Sequence, residues 1–247
     1  MSVQKNENNA LFDICNNNPK NMPSNDVYDV FNRFMFSDDI KLIGKMLYRF
    51  KFFELTKHLP GDIVEFGVFK GSGMATWIKF LDVFCPNSNK KVLGFDIFSP
   101  SEGQSILDKD GEFDKDKMNV VYAKTNENDL LLETVNKKLS ALSLNNRHIL
   151  VQGDIEVSLP KYLKENPGFR ASLVYIDVDL ERPTYAALKH IWDRLLPGGM
   201  ILFDEYEYHK FSESNGVEKF LKERNLPYEL ISTDWIAPTS YLVKKSL

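Results

Sequence analysis

The sequence predicts a doubly wound α/β fold: one mostly parallel sheet of about seven strands, helices on both faces, and a helical extension at the N-terminus. Short, unbroken apolar runs recur along the chain, as strands buried on both faces require. Between them lie segments whose apolar residues return at helical spacing, and this alternation is that of βαβ units. The first apolar run, DIVEF at 62–66, opens directly into a turn bearing Gly67, Gly71 and Gly73.

Taken in order, residues 1–25 are rich in Asn and carry Pro19 and Pro23, a composition expected to form a flexible arm. Residues 26–60 read as the helical extension. Ser37 is its expected N-cap, Ile43, Met46, Leu47, Phe50 and Phe53 recur at near-helical spacing, and Pro60-Gly61 ends it. The main domain, 61–247, begins with the strand at 62–66 and a helix running through Trp77 to Phe84. VLGFDIF (92–98) is the second strand, and a polar insertion follows at 99–125. Its length suits a segment that covers a site. A helix near 127–142 leads to HILVQ (148–152), and a helix near 156–165 leads to SLVYID (172–177). A helix through Ala187, Leu188, Ile191 and Leu195 precedes the Pro197-Gly198-Gly199 turn and the strand MILFDE (200–205). A helix near 215–225 and two strands, near 228–233 and 239–244, complete the reading.

The bulk properties narrow the function classes. At 247 residues and 43% hydrophobic, the chain suits one α/β domain with added helix. A net charge of −4, from 31 basic and 35 acidic residues, gives no footprint for nucleic acid or a membrane surface. Cys15 and Cys85 form neither a disulfide framework nor a metal spacing. No signal pattern and no apolar run of about 18 residues is present, so a cytoplasmic location is expected.

Three ligands use a glycine turn after a first strand, and spacing separates them. A P-loop places Lys after its last Gly, whereas Lys70 precedes Gly71. A dinucleotide turn needs a second Gly where Phe69 stands. What remains, Glu65-x-Gly67-x-x-x-Gly71-x-Gly73, resembles the first motif of class I methyltransferases, whose cofactor is S-adenosylmethionine. The expected cofactor contacts are Glu65, Gly67, Val68, Phe69, Gly71 and Ser72. Asp96, at the end of the second strand, is placed for the ribose hydroxyls, and Gly153 and Asp154 for the adenine.

A second feature lies at the next two strand ends, Asp177-Val178-Asp179 and Asp204-Glu205. Adjacent parallel strands run about 4.8 Å apart and open on the same edge, so these carboxylates are expected to meet. Such a cluster needs a positive charge, and Mg²⁺ is the candidate because hard cations take carboxylate oxygens. Asp177, Asp204 and Glu205 are the expected ligands, with Asp179 either capping the helix that follows or supporting the ligands from behind. A solvated acidic rim is the competing reading.

The combination resembles the macrocin O-methyltransferase family. The matching stretches are Pro60 to Gly71, Phe95-Asp-Ile-Phe98, Ser158-Leu-Pro160, Ile176-Asp-Val-Asp-Leu180, Thr184 with Ala187-Leu188, Leu196-Pro-Gly-Gly199, Phe203-Asp-Glu-Tyr206 and Asp234-Trp235. The resemblance implies a Rossmann-like, S-adenosylmethionine-binding sheet, Mg²⁺ dependence, a sugar-containing small-molecule acceptor and a homodimer or higher homo-oligomer. It also implies that Asp177 binds metal and serves as base, with Asp204 and Glu205 as further ligands. The sequence departs from the family at Glu205, usually Asp, at Phe69, usually Trp, and in the insertion at 99–125. His209 is a second candidate base. Competing functions are methylation of a catechol or an amino sugar, and binding of a cofactor or nucleotide sugar without catalysis.

Overall fold

The computed structural model describes residues 24–142, 146–225 and 229–245. All but the last two residues of the expected N-terminal arm lie outside them. The N-terminal helices are α1 (Ser24–Met35) and α2 (Ile40–Thr56). The α2 cap is Asp39, not Ser37. Its carboxylate accepts from the Lys41 and Leu42 backbone N–H groups, while the Ser37 hydroxyl donates to the Phe34 carbonyl.

The chain then alternates as expected: β1 (Asp62–Phe66), α3 (Ser72–Phe84), β2 (Val92–Asp96). The insertion is not a loop. It folds as α4 (Pro100–Leu107) and α5 (Glu112–Ala123), followed by a 3₁₀ turn at Glu127–Leu130 and α6 (Leu132–Leu142). Then come β3 (His148–Gln152), α7 (Ile155–Glu165), β4 (Ala171–Ile176), α8 (Glu181–Ile191) and β5 (Leu195–Phe203). The last elements are α9 (Glu213–Arg224), β6 (Ile231–Ser232) and β7 (Ser240–Val243). The closing strand expected near 228–233 is reduced to two residues, and its first position lies outside the described residues.

The sheet has seven strands in the order β3-β2-β1-β4-β5-β7-β6. The first five are mutually parallel, and β7 runs antiparallel to both β5 and β6. Alternation along the strands builds two cores. Val64, Phe66, Phe95, Val174 and Ile176 pack on the face covered by α7, α8 and α9. Ile63, Val92, Leu173, Tyr175 and Leu202 pack on the other, under α2, α3 and α6. Glu65 follows Ile63 on this second face, which carries a carboxyl group into an otherwise apolar layer.

From β1 the chain turns one way to β2 and β3, then crosses to β4 on the other side. The switch point therefore lies between β1 and β4, where α/β folds bind ligands beyond the carboxyl ends of their strands. Among the described residues no helix is long and apolar enough to cross a membrane.

Candidate functional site

Beyond the switch point lies a cavity of about 790 Å³. It collects Glu65, Gly67, Val68, Phe69, Ser72, Asp96, Asp154, Asp177, Asp204 and Glu205 from five separate stretches of the sequence. Gly71 and Gly153 shape turns at its rim, both at positive φ, of 91° and 119°.

The glycine turn is tightly fitted. Gly67 sits at φ 87°, and a Cβ there would overlap the Asp177 carbonyl oxygen, so only glycine lets the ends of β1 and β4 approach this closely. A Cβ on Gly73 would overlap the Glu65 carboxylate and crowd Arg49. Asp96 holds the turn from the other side, accepting from the Val68 and Phe69 backbone N–H groups at 2.7 and 2.9 Å through one oxygen. Burial raises its pKa against those hydrogen bonds.

Glu65 is 2% exposed, and one of its oxygens accepts from Arg49 Nη2 at 3.2 Å. Its other oxygen, Oε2, is buried without a hydrogen bond of regular geometry, as is the indole nitrogen of Trp77. Burial, opposed chiefly by Arg49, pushes the Glu65 carboxyl up to about 7. The Arg49 guanidinium also lies over the Tyr175 ring at 4.4 Å and the Trp77 ring at 5.5 Å.

The acidic residues converge in part. Oδ2 of Asp177 and Oδ2 of Asp204 each lie 2.8 Å from Lys45 Nζ, and Tyr175 donates its hydroxyl proton to the other Asp204 oxygen. Burial works against the Lys45 ammonium, but the two carboxylates outweigh it and leave its pKa above the ordinary value. Glu205 lines the same cavity, and burial and Asp204 push its carboxyl up to about 7. Among the described residues, no trio of His, Cys, Asp or Glu side chains closes around a common point. The donor set is all carboxylate, which suits a hard cation, and the point where two of the carboxylates meet holds an ammonium.

Other expectations are redistributed. Asp179 does not cap α8 with its side chain; Ser212 does so, its hydroxyl accepting from the Glu181 N–H at 2.7 Å. Asp154 caps α7 and binds Arg182 at 3.0 Å and Lys109 at 3.1 Å, so its carboxylate fastens the site's wall. Arg182 also grips Asp110, in the turn between α4 and α5, at 2.9 Å, which draws the insertion over the cavity. His209 is exposed, stands against Tyr208, and is not among the cavity-lining residues. The lysine and arginine of α2 are the residues that sequence reasoning missed. Their signal was the four-residue spacing of Lys41, Lys45 and Arg49, which places three cations on one helical stripe.

The model of the macrocin-O-methyltransferase (TylF) family matches residues 53–241. The chain belongs to this family. It is accordingly an S-adenosylmethionine-dependent methyltransferase. Solved structures share the architecture. CalS11, a TDP-rhamnose 3′-O-methyltransferase of calicheamicin biosynthesis, is 24% identical with a TM-score of 0.65, covering 98% of this chain and 95% of that one. The O-methyltransferase NovP is 19% identical with a TM-score of 0.63, over 84% and 81%. An O-methyltransferase from Bacillus cereus in complex with SAH is 12% identical with a TM-score of 0.55, over 94% and 95%. A search of curated proteins gives no match.

The residues fit the methyl donor. The Glu65 carboxylate at the cavity wall, one oxygen of which has no hydrogen bond of regular geometry, suits an ammonium such as that of the cofactor's methionine end. The tight glycine turn admits backbone close to a ligand, and α3 offers its free N-terminal N–H groups.

Proposed function

We propose that the protein methylates a hydroxyl of a sugar or glycosylated small molecule. The carrying observation is the contact of Gly67 with Asp177, which places the glycine turn and the acidic pair in one cavity. S-adenosylmethionine supplies a methyl group on a sulfonium that needs no further activation. The chain's own residues supply position and an oxygen nucleophile. Glu65 and the turn hold the donor, and Asp96 holds the turn. Asp177, at the cavity wall between the turn and Asp204, takes the acceptor hydroxyl's proton. Helices α1 and α2 on one side and α4 and α5 on the other enclose the site against water.

Asp177 and Asp204, with Glu205 as third donor, would hold Mg²⁺. Bound there, the ion supplies positive charge that favours loss of the hydroxyl proton. We also propose a homo-oligomer, because α1 exposes Val27, Tyr28, Phe31 and Met35, with Phe36 beside them. Light scattering reads that directly.

The decisive experiment is transfer of labelled methyl to a panel of free, nucleotide-linked and aglycone-linked sugars, with catechols and amino sugars alongside. Asp177→Asn is expected to abolish turnover while retaining cofactor affinity. Undiminished activity in that variant removes Asp177 from the chemistry. Chelation with EDTA is expected to stop turnover and added Mg²⁺ to restore it, whereas full activity in chelator gives the acids a metal-free role.

A further inference from the structure

The acidic pair already has a cation, and it comes from the polypeptide. Lys45 Nζ is 2.8 Å from Asp177 Oδ2 and 2.8 Å from Asp204 Oδ2, the two side chains brought together from β4 and β5. One positive charge against two carboxylates leaves a negative excess, and Glu205 lines the same cavity. A divalent ion at that point balances the pair more fully than an ammonium does, but the two cannot share the position.

We propose that Lys45 is a tethered counter-cation that holds Asp177 and Asp204 in register in the metal-free enzyme and swings out when a divalent ion binds. The inference rests on the metal reading of these carboxylates given above. It makes Lys45 a positioning residue that sets metal affinity.

The surroundings favour rotation of one side chain over movement of the helix. Helix α2 is fixed on both sides of Lys45. Gly44 lies directly under the Trp235 ring, where any Cβ would overlap it. Tyr48 stacks on Trp235 at 6.0 Å and donates its hydroxyl to the Thr233 carbonyl at 2.8 Å. One turn on, Arg49 is paired with buried Glu65. The Lys45 stem is a flexible four-carbon chain, its side chain is 20% exposed and it lines the cavity, so a path out exists without unpacking α2. Asp204 keeps its orientation throughout, because the Tyr175 hydroxyl holds its other oxygen.

Exchange has a measurable consequence. A pair open to metal for about one-tenth of the time binds about tenfold more weakly than one always open. Mg²⁺ titrated calorimetrically into the full-length protein, without cofactor or acceptor, is therefore expected to bind Lys45→Met about tenfold or more tightly than wild type. Lys45→Arg, which keeps a bridging cation, is expected to stay near wild type or weaker. Lys41→Met is the control for general charge, since Lys41 shares the helix and lines the cavity without bridging the pair. It is expected to change affinity by about twofold at most.

A second readout needs no variant. Acylation of lysine amines, followed by mass spectrometry, is expected to label Lys45 slowly in metal-free protein and faster once Mg²⁺ is added. Equal Mg²⁺ affinities for wild type and Lys45→Met, or Lys45 labelling that ignores bound Mg²⁺, overturn the exchange while leaving the metal reading standing. A comparable gain in Lys41→Met also overturns it. Absence of Mg²⁺ binding in every protein removes the metal reading and this inference together, and leaves methyl transfer itself to be judged by the acceptor assay.

Discussion

Replacing Arg49 with Met strands the Glu65 carboxylate in a layer of Phe52, Trp77 and Tyr175. The side chains of the pair are 7% and 2% exposed, so water offers little relief. Breaking one partner of a buried ion pair costs about 3–5 kcal/mol where the other stays charged, and less where it can take up a proton. That cost depends on pH in a direction set by Glu65, whose carboxyl is pushed from the ordinary 4.5 up to about 7. The folded protein holds this proton between those values while the unfolded chain releases it, so Glu65 lowers stability as pH rises through the window.

Above about pH 7 the residue is ionised and its pairing with Arg49 is in force. Below about pH 5 it is neutral, and Arg49→Met forfeits mainly the stacking on Tyr175 and Trp77, about 0.5–2 kcal/mol. Urea denaturation is expected to show a loss of about 0.5–2 kcal/mol at pH 5 and about 1.4 kcal/mol more at pH 8, the cost of returning a proton at that pH to a carboxyl that titrates at about 7. The double variant Arg49→Met/Glu65→Gln is expected to recover the additional loss seen at pH 8, because it removes both charges, but not the lost stacking. Equal losses at the two pH values, or a double variant equal to the sum of the singles, would refute the picture of a coupled buried pair.

Gly67→Ala is expected to force β1 and β4 apart, because its Cβ meets the Asp177 carbonyl and its φ is 87°. Methyl transfer should fall by about a hundredfold or more, and an active, normally stable variant would contradict the close approach. Arg182→Ala should release α4 and α5 from Asp154 and Asp110. Faster hydrogen exchange across 100–123 and a raised KM for the cofactor are the expected readouts. Unchanged exchange would place the hold on the insertion elsewhere.

Features set by local pattern were legible in the sequence. Strands β1 to β5 showed as apolar runs because both faces of the sheet are covered. Gly67, Asp96, Asp177 and Asp204 stood out because strand ends and glycine spacing are local signals. The helices of the insertion did not. In α5, EFDKDKMNVVYA carries its helical spacing only in a late triplet, Met118, Val121 and Tyr122, too short a signal to mark the helix, and its hold comes from Arg182 and Ser212 elsewhere in the chain. The caps were misread between neighbours of similar chemistry, Ser37 for Asp39 and Asp179 for Ser212. The cationic stripe of Lys41, Lys45 and Arg49 was visible, but its place in the site was not, because the partners of Lys45 and Arg49 lie 132, 159 and 16 residues away and only packing of α2 on the sheet brings them together.

The lodging of Gly44 beneath Trp235, with Tyr48 bound to Thr233, couples two distant stretches, 40–56 and 229–245, as a single part. Anyone recombining homologues to obtain new acceptor preferences should therefore exchange these two stretches jointly. A donor-binding half transplanted with only one of them would receive a helix that no longer seats and a cavity missing its cationic wall.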